Sequence, residues 1–295
     1  MLLQRIITAL ILAPLAILAV ILLSPEWFSL IWGCIIMIAA WEWSSLAGIK
    51  RLWVRALYLL SLIGFMLFVY LWTDFLDYLG YLFNNVEIKK QSGLIEWTVI
   101  PPVLWWLLIM VLLRRAADEM LKTDIKIRYK AMIGWFVLGA AWMFLSRLRM
   151  LYGIEFTLYF LLLIWAADVA AYFVGKKYGD VKLSPQISPG KTVAGLYGAI
   201  GASFICAIGL AVYLKISYGK IPLMIVSDFA LLSGLTVLVS IYGDLYISLL
   251  KRQRGVKDSG SILPGHGGVL DRMDSIIAAI PLFYAGVFMI YRSVS

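Results

Sequence analysis

Histidine and cysteine are nearly missing from this chain, which has one His, His266, and two Cys, Cys34 and Cys206, in 295 residues. That scarcity excludes a metal centre built from several imidazoles and leaves no disulfide framework or zinc cluster. Both cysteines fall inside apolar runs, where a small buried hydrophobe is the ordinary reading. Any metal must therefore be held by carboxylates, which favours magnesium, calcium or manganese. Charge is scarce as well, at 15% of residues, whereas 63% are hydrophobic. Soluble domains carry roughly 45 to 50% apolar residues, so a water-soluble core is excluded. No long hydrophilic block interrupts the series of apolar runs, which implies one membrane domain rather than an anchor bearing a soluble enzyme. No nucleic-acid-binding module is present. The balance of +9 points instead to lipid phosphate or a nucleotide as the anionic partner.

What is there is a succession of runs near the roughly 20 residues that a membrane span needs. They cover approximately 6–23, 27–48, 54–72, 97–113, 132–146, 154–175, 194–214, 222–247 and 275–291. The fifth is short, so eight spans remain an alternative to nine. The expected class is an all-α polytopic membrane protein of about nine transmembrane helices with a cytoplasmic N-terminus. The first run follows MLLQR, is too long for a signal-peptide core and lacks a small-residue cleavage site, so it reads as an uncleaved span. With nine spans and the N-terminus inside, 19 of the 26 Lys and Arg residues fall on the inner side, as the positive-inside rule requires. The chain is expected to divide into an N-terminal membrane region of about four spans, 1–131, and a C-terminal membrane region of about five, 132–295.

Two inner segments carry residues that a connector does not need. In the second, Asp244, Ser248 and Lys251 are spaced i, i+4, i+7 and share one helix face, while Asp271 and Asp274 open the last span. Between them lie Lys251, Arg252, Arg254, Lys257 and the stretch Pro264, Gly265, His266, Gly267, Gly268. Carboxylates, cations and glycines together are the inventory for a nucleoside triphosphate with magnesium. Asp244 and Asp271 are the leading functional acids, because an acid near a span end is costly without a task or partner. Asp274 fits either that role or stabilisation of the last helix by its dipole. Arg252 and Arg254 fit a positive-inside reading equally well, and His266 fits a structural or a phosphate-facing role. In the first segment, Asp168 lies about 10 Å deep in the sixth span, a site candidate whose alternative is pairing with a neighbouring helix. SPGKT at 188–192 is not a Walker motif, since Pro185 stands where that pattern needs Gly and no strand is expected before it. Ser188, Lys191 and Thr192 can still donate to phosphate at a helix entry. Glu42, between Trp41 and Trp43 and about 9 Å from the inner end of its span, reads as structural, a carboxylate reaching water from an aromatic belt.

The stretch from Ser248 to Asp274, SLLKRQRGVKDSGSILPGHGGVLDRMD, resembles the signature of the bacterial phosphatidate cytidylyltransferases, or CDP-diacylglycerol synthases. Its fixed positions Ser248, Lys251, Arg252, Lys257, Asp258, His266, Gly267, Gly268, Asp271, Arg272 and Asp274 are all present. The resemblance extends through DVAAYFVGKKYG and ISPGKT to most of the chain, more loosely in the N-terminal half, with Ala194 a small departure. It implies conversion of CTP and phosphatidic acid to CDP-diacylglycerol and pyrophosphate at a bacterial inner membrane, with the active site on the cytoplasmic side. It also implies a paired-metal centre on the acids matching Asp244 and Asp271, and a homodimer.

The roles expected on this basis give magnesium, and a second metal ion, to Asp244 and Asp271 with Asp274. Phosphates go to Lys191, Lys251 and Lys257, and the nucleotide phosphates or leaving group to His266, Gly267 and Gly268. Ser188, Thr192, Ser248, Arg252 and Arg272 complete the substrate contacts, and Asp168 lines the cavity or completes the metal shell. The alternatives are another CTP-dependent lipid transferase, a polyprenol kinase, or a cation-coupled transporter that uses Asp168 and Asp244 as ion ligands. No internal repeat of the transporter kind is visible.

Overall fold

A computed structural model gives the architecture, describing residues 2–83, 91–219, 222–263 and 267–294. The apolar runs form helices α1 (Leu2–Leu22), α2 (Pro25–Ala47), α3 (Leu52–Leu82), α4 (Ile100–Lys122), α5 (Ile127–Tyr178), α6 (Val193–Tyr218), α7 (Leu223–Gln253) and α8 (Leu270–Val294). A 3-10 helix (Gln91–Val99) leads into α4, and two short strands, β1 (Lys182–Ser184) and β2 (Ser188–Thr192), pair antiparallel between α5 and α6. The chain is thus an all-α polytopic membrane protein with, among the described residues, one small β-hairpin. Among the described residues, seven helices are long and apolar enough to cross a membrane by length and composition. That measure does not itself reach nine.

The difference lies largely in α5. Its 52 residues would rise about 78 Å as one rod, more than twice a bilayer core. The rod is broken at Gly153, where φ is 82° and ψ −168°, a backbone state that only glycine adopts without strain. Aromatic contacts with α8 show that the chain reverses there. Before the break Phe144 meets Tyr284 and Tyr152 meets Tyr291; after it Phe156 meets Tyr291 and Phe160 meets Phe283. The two arms therefore run antiparallel along the same partner. The first arm, 127–152, rises about 39 Å, so the run that looks short in sequence has the length to cross.

That arm packs on α2 through tryptophan bonds. Trp32 Nε1 donates to the carbonyl of Ala141, Trp142 Nε1 to that of Ser29, and Trp43 Nε1 to that of Lys130. One apolar core runs from Val20 through Trp43, Trp106 and Phe144 to Tyr284 and Val287, so elements from both halves of the sequence share it. At the end expected inside, Gln253 Nε2 donates to the carbonyls of Met120 and Thr123, tying the end of α7 to that of α4.

At the opposite end, Glu96 accepts from Arg147 on one oxygen and from the Tyr284 hydroxyl on the other. Arg149 donates to the carbonyls of Val20 and Leu23, filling acceptors that the end of α1 leaves open. Replacing Glu96 by Ala strands a mostly buried guanidinium, which costs on the order of 3 to 5 kcal/mol. Thermal unfolding in detergent is expected to show a clearly lower midpoint for Glu96→Ala, with most of the loss recovered when Arg147→Met is added to Glu96→Leu.

Candidate active site

Local structure first brings the two inner segments together. Ile187, fully buried, closes the turn of the β-hairpin, and its carbonyl accepts from Arg252 Nε at 3.1 Å. From β2, Lys191 reaches α7, donating to the carbonyl of Ile241 at 3.0 Å and pairing with Asp244 at 2.7 Å. The hairpin is thus fixed to α7 at two points, both through cations. Thr192 does not face outward. Its hydroxyl accepts the Gly195 N–H as the N-cap of α6, which satisfies one of the orphan amides of a helix start. The expected phosphate donor is therefore a buried cap in this structure, and the strand β1 that precedes SPGKT is a hairpin partner rather than part of a βα nucleotide unit. Ser188 is half-buried in β2.

On α7 the i, i+4, i+7 face forms as expected, and it meets the start of α8. Ser248 donates to Asp244 at 3.2 Å. Lys251, buried, pairs with Asp271 at 2.7 Å. The backbones of α7 and α8 approach so closely at Gly243 that a Cβ there would lie 2.1 Å from that of Ala278. The same approach sets Asp274 beside Asp244, the backbone carbonyl of Asp274 lying 3.2 Å from where the Gly243 Cβ would be, so that the charges of the two acids act on each other. Asp168 is exposed, yet the charges of Lys191, Asp244, Asp274 and Arg272 act on it. It therefore stands near the same cluster, at the protein surface.

Asp271 is held differently from expectation. Beyond Lys251, its second oxygen accepts the N–H groups of Ser259 at 2.8 Å and Gly268 at 3.1 Å. The Gly268 amide, expected on a phosphate, is thus donated to the protein's own acid. Its lack of a side chain is required by packing, because a Cβ would sit 2.1 Å from Ser259 Oγ and 2.3 Å from Glu42 Oε2. Gly267 has φ 80° and its carbonyl accepts from Leu263 N–H. Lys257, Asp258 and Arg272 are exposed, and His266 lies outside the described residues.

Sequence reasoning missed Glu42. It is 3% exposed rather than in water, and it accepts from Ser259 Oγ at 2.8 Å and from the N–H groups of Val269 at 3.1 Å and Leu270 at 2.9 Å. It, and not Asp274, covers the start of α8. The signal was an acid within an apolar span, which membrane physics marks as a site by default; the flanking tryptophans suggested an interfacial belt instead.

The donor set is carboxylate and hydroxyl only, the class that magnesium takes. Among the described residues no three or more Asp, Glu, His or Cys side chains are arranged as a metal cage. Magnesium needs only one or two carboxylates plus substrate phosphates and water, and Asp244 with Asp274 beside it offers two.

The family model for the cytidylyltransferase family matches residues 3–290. A phosphatidate cytidylyltransferase of Haemophilus influenzae is 33% identical over 96% of this chain and 97% of its own. One from Pseudomonas aeruginosa is 36% identical over 97% and 96%. A Bacillus subtilis protein of the same name is 42% identical over 45% of this chain and 47% of its own. Gly243→Leu is expected to wedge α7 from α8 and lower the thermal midpoint by the equivalent of about 1 to 3 kcal/mol, as overpacking does. Gly190→Ala, with nothing within 4 Å of the added carbon, is expected to leave the midpoint unchanged.

Proposed function

Because this chain belongs to the cytidylyltransferase family, we propose that its site transfers a cytidylyl group from CTP to phosphatidic acid, giving CDP-diacylglycerol and pyrophosphate. It is a membrane nucleotidyltransferase. The observation that carries the reading is the meeting, at one end of the bundle, of two acid–lysine pairs drawn from separate segments: Asp244 with Lys191, and Asp271 with Lys251.

In the reaction, a phosphatidate oxygen attacks the α-phosphorus of CTP. A new P–O bond forms as the bond between the α-phosphorus and its bridging oxygen breaks, and pyrophosphate leaves with the electron pair. The nucleophile is already an anion, so positioning and charge neutralisation carry the rate rather than a strong base. Lys191 and Lys251, with Lys257, Arg252 and Arg272, supply the cations that offset phosphate charge, and Ser188 and Ser248 the hydroxyls. Asp244 and Asp274 would hold magnesium, and Asp271 would offer a single carboxylate to a second metal ion; when bound, these ions would neutralise phosphate charge. Asp168 lines the accessible side, where the substrates enter. Gly190 supports the same reading from a different direction: packing does not require a glycine there, whereas close approach of a ligand to the SPGKT backbone would. The surplus of cations at this end supports a cytoplasmic-facing site in a bacterial inner membrane, and the homodimer rests on family resemblance.

The test uses purified protein in detergent, short-chain phosphatidate and CTP labelled at the α or the γ phosphate. Label from the α position is expected in lipid, lost on chelation of magnesium and reduced about 100-fold or more by Asp271→Asn. Label from the γ position in lipid, or none from either in folded protein, would overturn the reading. Gly190→Ala is expected to raise the KM for CTP at unchanged thermal midpoint.

A further inference from the structure

Glu42 comes from the second helix, yet its three bonds all end on the segment that carries Asp271. Its two oxygens accept from Ser259 Oγ, Val269 N–H and Leu270 N–H, partners 217 to 228 positions away in sequence. The three successive amides that lead into α8 are thus divided between two acids: Gly268 donates to Asp271, and Val269 and Leu270 to Glu42. Ser259 links the same two acids, its N–H on Asp271 and its hydroxyl on Glu42. The segment is shaped to admit the carboxylate, since a Cβ on Gly260 or Gly268 would lie 2.3 Å from one or other of its oxygens.

An ordinary helix start takes its cap from the residue just before it. Here that duty falls on an acid from across the bundle, one residue from an acid of the transfer site. A carboxylate at this place also occupies the positive end of the α8 dipole, where a phosphate would otherwise bind.

We propose that Glu42 is a positioning residue for the transfer reaction, setting Asp271 and through it Lys251 by holding Ser259, Val269 and Leu270; this rests on the site being the transferase site described above. Outer-shell carboxylates of this kind change metal affinity and activity by about 10- to 100-fold when altered.

The test compares wild type, Glu42→Gln, Ser259→Ala and Glu96→Gln, all as full chains in detergent. Glu96 lies at the opposite end and controls for lost stability alone. Glu42→Gln is expected to lower kcat about tenfold and to raise the magnesium concentration for half-maximal rate by a similar factor, at unchanged KM for phosphatidate. Ser259→Ala is expected to move both in the same direction by less, and carries the test if Glu42→Gln does not fold. Glu96→Gln is expected to lower the thermal midpoint while leaving the magnesium midpoint in place. Independently of activity, amide hydrogen exchange across 267–274 is expected to quicken in Glu42→Gln and Ser259→Ala, and not in Glu96→Gln. A wild type without transfer would sink the transferase reading and leave the exchange comparison to decide the positioning claim. Folded Glu42→Gln or Ser259→Ala with wild-type exchange and magnesium midpoint would overturn it.

Discussion

A carboxylate carried into a hydrocarbon slab has to find its donors within the protein, because no water competes to supply them. Much of the geometry at the inner end follows from that constraint. Asp244 is met by Lys191 and Ser248, Asp271 by Lys251 and two amides, and Glu42 by a hydroxyl and two amides. These bonds join α2, the β-hairpin, α7 and the start of α8. Apolar packing between helices is non-directional, whereas each of these contacts fixes a register. The far end solves the same problem with Glu96, Arg147 and Tyr284.

How the amides are spent shapes the chemistry open to the site. Loops that bind phosphate commonly do so with a concave run of backbone N–H groups. Here the amides of Ser259, Gly268, Val269 and Leu270 serve the protein's own acids. In the proposed reaction, recognition of phosphate would then fall to ammonium and guanidinium groups on α7, β2 and α8. Such groups act as charges on adjustable stems rather than as a rigid mould, which suits a site that must accept a triphosphate and a lipid headgroup together.

Length and hydropathy made the spans legible, and the inner acids stood out because their cost in an apolar run is large. The i, i+4, i+7 face of Asp244, Ser248 and Lys251 was readable for the same reason, since a helix fixes its own neighbours. What stayed hidden depended on contacts between distant segments. Thr192 reads as a phosphate donor at a helix entry until Gly195 is seen against it. Gly268 resembles a glycine cleared for a ligand until Glu42 is found in the space. The partners of Glu42 lie beyond residue 258, and no local period links them. Gly153 could be seen as a glycine between two runs, but its left-handed backbone and the fold-back it permits are tertiary facts.

The cap on α8 also has a history in time. A ribosome adding roughly 5 to 20 residues per second makes α2 long before the stretch from Ser259 to Leu270, so some 10 to 45 seconds separate Glu42 from its donors. Throughout that interval the second helix must reside in or near the bilayer with an acid that has no native partner. The distance from Glu42 to the helix end at Ala47 is only about 8 Å, short enough for the side chain to bend toward the headgroups. Biosynthesis therefore sets an upper limit on how deep this residue can sit, and the later-made segment from Ser259 to Leu270 is the one that withdraws it from water.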